Sequence, residues 1–124
     1  MPEIKKMPSE RLKELLDFVR ECDSRYQLAY EMVNREDRRL QDFAHQAEFA
    51  ADEEELYRVA REFQESRRER RRNKNEVQLY ELLVKFFGEK GPRDTLKRME
   101  QLLGQQRKQE EYLVSERVYK PRVK

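Results

Sequence analysis

Between Leu12 and Ala50, apolar or small residues return in alternating steps of three and four: Leu12, Leu15, Val19, Cys22, Tyr26, Ala29 and Val33, then Leu40, Phe43, Ala47 and Ala50. Glu36 is the one interruption. A seven-residue schedule held in phase for so long predicts a single helix over residues 9–50 with a coiled-coil seam, because 3.5-residue spacing keeps one stripe turned toward a partner. Neither Gly nor Pro falls inside the stretch, and Val33 and Leu40 keep the same phase across Asn34, so no break is expected there. Such a helix would be roughly 60 Å long, and a helix of that length in water needs something packed along its apolar stripe. Ser9, after Pro8 and before the first periodic residue, is the expected N-cap.

The next punctuation is the acidic run at residues 52–55. Asp52 followed three residues later by Glu55 resembles a capping box, and three acidic residues in a first turn suit the positive end of a helix. A second helix is therefore expected over residues 53–87, with Leu56, Val59, Phe63, polar Ser66, Arg70 and Asn73, then Val77, Tyr80, Val84 and Phe87 on its seam and Gly88 as its stop. Folding it back antiparallel pairs Phe43 with Phe63, Leu40 with Ser66, Glu36 with Arg70 and Tyr26 with Tyr80. The acidic interruption of one seam thus falls opposite a basic residue of the other, predicting a Glu36–Arg70 ion pair in the hairpin.

Apolar residues away from the seam, Leu16, Phe18, Tyr30 and Met32 in the first helix and Leu79, Leu82, Leu83 and Phe86 in the second, gather at the end away from the turn and call for further cover. Gly91, Pro92 and Asp94 read as N-cap, N1 and N3 of a third helix over residues 92–111, with Leu96, Met99, Leu102 and Leu103 as its buried face and Gly104 as a weak point. Residues 112–124 mix β-branched, aromatic and basic side chains with Pro121 and read as a partly extended tail. The expected architecture is an all-α single domain, a long antiparallel helical hairpin closed at its base by a third helix. The leftover apolar positions also predict a homodimer.

Composition agrees: 44% of the 124 residues are charged, 36% are hydrophobic, and there are three Gly and no Trp, which suits long helices rather than a sheet-containing enzyme. The net charge of +2 is small, yet residues 1–51 are acidic on balance and residues 52–124 basic, which favours pairing within the chain. The one cysteine, Cys22, lies on the seam and is expected to be a buried thiol. No apolar run reaches membrane-spanning length and no signal peptide is evident, so a cytoplasmic protein is expected.

The chemical inventory is thin. His45 is the only histidine and has no second metal-ligand type clustered near it, the carboxylates sit at helical spacing from Lys and Arg, and no Gly-rich phosphate loop exists. Neither catalytic residues nor a cofactor or metal is expected. The strongest local signal is the basic run with Arg67, Arg68, Arg70, Arg71, Arg72 and Lys74 on one helix. Arg suits phosphate because its planar fork binds oxygens bidentately, so Arg67, Arg68, Arg71, Arg72 and Lys74 are candidate nucleic-acid contacts, aided by a basic tail with Arg117, Lys120, Arg122 and Lys124. Against this stand the interleaved Glu65, Glu69 and Glu76, which make a salt-bridged solvated face the simpler reading. Phe49 and Tyr57 lie off the seam on either side of the turn, and serve either as an exposed docking tip or as local packing.

The order of an "RRERRRNKNEVQLYELL" helix, a Gly/Pro break, an "LLGQQRKQEEY" helix and a closing "YKPRV" resembles small helical proteins of bacterial prophages and mobile elements, over the C-terminal half only. That resemblance implies a provenance and carries no functional residue. The expectation is a non-enzymatic interaction or assembly module with a protein partner, and the alternative is a nucleic-acid-binding accessory.

Overall fold

The computed structural model describes residues 6–115, and among these it contains three α-helices and no strand: α1 (Pro8–Glu48), α2 (Glu53–Phe87) and α3 (Lys90–Val114). The basic tail residues from Arg117 onward and the arm before Lys6 lie outside the described residues. The contacts form two compact units, one of Val19–Gly88 and one in which the chain up to Phe18 joins the segment from Glu89 onward; α1 contributes to both without a break at Asn34.

The Val19–Gly88 unit is the expected hairpin. Phe43 and Phe63, paired in the predicted register, meet edge to face with ring centroids 5.9 Å apart. Val19, Cys22, Ala29, Phe43 and Val59 are buried, all of them seam positions. Exposed faces carry helical-spacing ion pairs such as Arg25 with Glu21 at 2.8 Å and Arg58 with Glu62 at 3.0 Å. The turn is short. α1 ends with the Phe49 N–H on the His45 carbonyl, and Asp52 takes extended backbone (φ −148, ψ 177) so that its carboxylate accepts the Glu55 N–H at 2.8 Å. The Glu55 carboxylate reaches back to the Ala51 N–H at 3.1 Å, one residue before the N-cap N–H that a capping box engages.

The second unit holds the ends of two helices together. α1 begins two residues earlier than the capping signal implied: the Met7 carbonyl accepts from Glu10 and Arg11, Pro8 rather than Glu10 is the first helical residue, and Ser9 lies inside the helix. Pro is well suited to N1, where its missing N–H would have had no partner. Ser9 is buried, and both its groups donate to one carboxylate of α3: the N–H to Glu110 Oε2 at 2.9 Å and the hydroxyl to Glu110 Oε1 at 2.6 Å. A carboxylate from another helix thus caps the positive end of α1, where an anion is favoured. Leu12 and Leu16 continue the Ser9 face one turn at a time, and Leu16, expected off the seam, is buried while Leu15, expected on it, is 45% exposed.

α3 departs from the expectation at both ends. Its N-cap is Glu89, in extended backbone with no side-chain cap, so Gly91 and Pro92 fall inside the first turn, where Pro again lacks only an N–H that has no helical acceptor. It then passes through Gly104 and takes in Tyr112 to Val114, which the sequence reading assigned to the tail. The half-buried positions are Pro92, Leu96, Met99, Leu103, Gln106 and Glu110, a four-three stripe that leaves the predicted Leu102 outside, 49% exposed.

The Ser9 hydroxyl holds the Glu110 carboxyl below the ordinary carboxylate range near 4.5; partial burial opposes this, while the Gln106 amide, the Ser9 N–H and the Arg107 charge add to it. A folded-state pKa below the unfolded value gives stability that is complete above about 4.5 and is lost as pH falls through the lowered value. Glu110→Gln is therefore expected to be less stable than wild type at neutral pH, with the gap closing in acid. Urea midpoints taken at a series of pH values check this, and a gap that stays constant into acid would show that the cap does not depend on the ionised carboxylate.

Candidate interaction surfaces

At the polar centre of the hairpin seam, Glu36 is only 3% exposed. The Ser66 hydroxyl, also buried, donates to one of its carboxylate oxygens, and the Arg39 guanidinium donates to both, at 3.1 and 3.2 Å. The Glu36–Arg70 pair expected from the sequence is replaced by two others. Arg70 Nε donates instead to Asp37 at 2.6 Å, on the flank of the hairpin, and Glu36 takes Ser66. Across the seam Ser66 reaches Glu36 directly. A short hydroxyl leaves room there for a carboxylate, whereas the longer Arg70 side chain finds its partner nearer water.

The same geometry divides the arginine cluster. Arg67 belongs to the hairpin: one guanidinium nitrogen donates to the Glu36 carbonyl at 3.0 Å, its centre lies 5.6 Å from the Phe63 ring centroid, and its Nε is buried without a hydrogen-bond partner. Arg72 pairs with Glu69 one turn back. Arg68, Arg71 and Lys74 are exposed. Of the five candidate phosphate contacts, Arg67 is thus committed to the fold, Arg72 has an acidic partner, and three remain turned outward. Consecutive arginines on a helix are about 100° apart, since 3.6 residues make a turn, so these do not form one stripe. A polar groove beside Ser66 is lined by Arg39, Arg68 and Arg72 but also by Glu36, Glu62, Glu65 and Glu69, a mixed field rather than a basic one.

On the apolar side, Leu40, Leu56 and Phe63 are 43%, 46% and 37% exposed although all three are seam positions. They border a groove of about 360 Å³ whose lining includes Ala44 and Ala60, two residues that sequence reasoning passed over. The available signal was that each alanine follows directly on a seam residue, Phe43 or Val59, which widens the apolar face by one position. At the turn, Phe49 is 68% and Tyr57 69% exposed, and the Phe49 ring meets His45 at a centroid distance of 4.9 Å. Farther along α2, Leu79, Leu82 and Phe86 recur at helical spacing on the face opposite the seam and are 70%, 79% and 52% exposed. Those three were expected to be covered.

Burial pushes the Cys22 thiol above its ordinary pKa, assisted by the nearby Glu21 charge, so little thiolate is present at neutral pH. Among the described residues no group of three or more His, Cys, Asp or Glu is placed to hold a metal ion, and no helix is long and apolar enough to cross a membrane. Comparison with protein-family models, with curated proteins and with solved structures returns no match.

Proposed function

We propose that this chain is a non-enzymatic, cytoplasmic helical module that works by binding protein through the faces of its hairpin. The observation that carries the reading is the set of large apolar side chains left in water on a helical scaffold: Phe49 and Tyr57 at the tip, Leu79 and Leu82 on the outer face of α2. Burying one such side chain contributes about 1.5 to 3 kcal/mol, against which the cost of association is set. The proposed provenance in a phage or mobile element rests on the resemblance of the C-terminal half alone.

Two double variants test the reading by affinity capture from the native host: Phe49→Ser with Tyr57→Ser, and Leu79→Ser with Leu82→Ser. Because these residues are exposed, the melting temperature should stay within a few degrees of wild type, while at least one variant loses the captured partner. Capture that survives both changes would remove these surfaces from consideration, and a large fall in melting temperature would assign them to packing. The second reading, nucleic-acid binding, keeps Arg68, Arg71 and Lys74 as outward-facing cations. It requires binding to duplex or single strands that weakens steeply between two salt concentrations. The mixed charge of the groove beside them favours the protein-binding reading.

A further inference from the structure

From the apolar groove near the turn, we infer that a second copy of this chain occupies it, the two hairpins lying face to face with their tips pointing in opposite directions. This deepens the interaction reading above by naming the partner, and rests on it. On α1 the groove is built by Leu40, Phe43, Ala44 and Ala47, and on α2 by Leu56, Val59, Ala60 and Phe63. Both sets follow one spacing, with apolar residues at i, i+3, i+4 and i+7. A helix that faces a single neighbour needs only the two-per-heptad stripe, whereas the third position broadens the face to serve two neighbours, as in a four-helix arrangement. The exposure of Leu40, Leu56 and Phe63 is what remains when only one of the two neighbours is present. Ala44 and Ala60, both exposed, keep the floor low enough for the side chains of another helix to enter.

Charge selects the occupant and its direction. Continuing the groove face of α2 by steps of three and four gives Glu53 at the tip end and Arg67, Arg70 and Lys74 at the other end, and Glu48 stands one turn beyond Ala44 on α1. Of the three cations, Arg67 is held by the Glu36 carbonyl and Arg70 by Asp37, which leaves Lys74 as the exposed cation at that end. The groove is therefore acidic toward the tip and basic away from it. A second copy laid in the opposite direction brings its acidic tip onto the basic end, and two-fold symmetry makes the same contact twice. A copy laid in the same direction sets like charges against each other, which is disfavoured.

Light scattering and sedimentation of the full chain test this. Wild type should be a dimer at high micromolar concentration, and Ala44→Glu with Ala60→Glu should raise the dissociation constant at least tenfold while leaving the helical circular dichroism unchanged. Glu53→Lys and Lys74→Glu should each weaken the dimer, and the two together should restore it, which no loss of folding would do. A wild-type chain that remains monomeric overturns the inference, as does a dimer indifferent to the alanine changes. A monomer whose groove variant loses a captured partner would assign the groove to another protein. Capture with Phe49, Tyr57, Leu79 and Leu82 intact is read independently, so failure of the dimer leaves the broader function still measurable.

Discussion

Phe43→Ala is expected to lower the unfolding free energy by about 3 kcal/mol, at the low end of what truncating a buried phenylalanine costs. Among the described residues Phe43 is the one aromatic residue in the buried core, at 5% exposure, held edge to face against Phe63 with the Arg39 guanidinium 4.9 Å from its ring centroid. Few side chains share the work: among the described residues the fully buried hydrophobic set is Leu16, Val19, Cys22, Ala29, Phe43 and Val59. The low end applies to the monomer, in which the open groove beside Phe43 lets the site relax. Phe63→Ala, starting from a residue already 37% exposed, should cost less than half as much. Urea melts of the two variants at dilutions where the chain is monomeric make the comparison, and equal losses there would mean that Phe63 is as well buried as Phe43 in the single chain.

The second large effect concerns Glu36. A carboxylate at 3% exposure is tolerated because Ser66 and Arg39 supply its hydrogen bonds, so removing both donors by Ser66→Ala with Arg39→Ala leaves it buried without them. Breaking a buried pair costs roughly 3 to 5 kcal/mol, and the lower figure applies because the Arg39 side chain is 43% exposed. Adding Glu36→Leu to that variant should recover most of the loss, since an apolar seam has no charge to satisfy. Arg70→Leu, by contrast, removes only a flank pair with Asp37, whose carboxylate-bearing side chain is 46% exposed, and should cost no more than about 1 kcal/mol. If Arg70→Leu proved the most damaging single change, the partner assignment at the seam would be wrong.

These two residues mark where sequence stops deciding. The three helices, the turn with its Asp52 cap and the Phe43–Phe63 contact followed from spacing alone, because helical periodicity and capping are local and a heptad stripe fixes which face turns inward. The pattern also placed a polar break in the seam at Glu36. Which donor answers it depended on side-chain length and on how far each level lies from water, and that is set by the packed pair of helices rather than by either strand of residues. The same holds for the arginine run. Composition showed six cations, and only the hairpin revealed that Arg67 is spent on the Glu36 carbonyl and Arg70 on Asp37, while Arg68, Arg71 and Lys74 face outward.

The start of α1 and the groove belong to the tertiary structure more completely still. Ser9 carries a capping side chain and follows Pro8, so a local reading makes it the cap; a carboxylate from 101 residues away in sequence takes over that role and draws Ser9 inside the helix. No window of sequence contains both partners. Ala44 and Ala60 are unremarkable in a helix and become the floor of a groove only when two helices set them side by side. The sequence by itself determined the helices, the turn and the seam, since those depend on residues a few positions apart. Which polar groups are satisfied within the fold, and which apolar ones stay open to a partner, was decided by the packing that brings distant residues together.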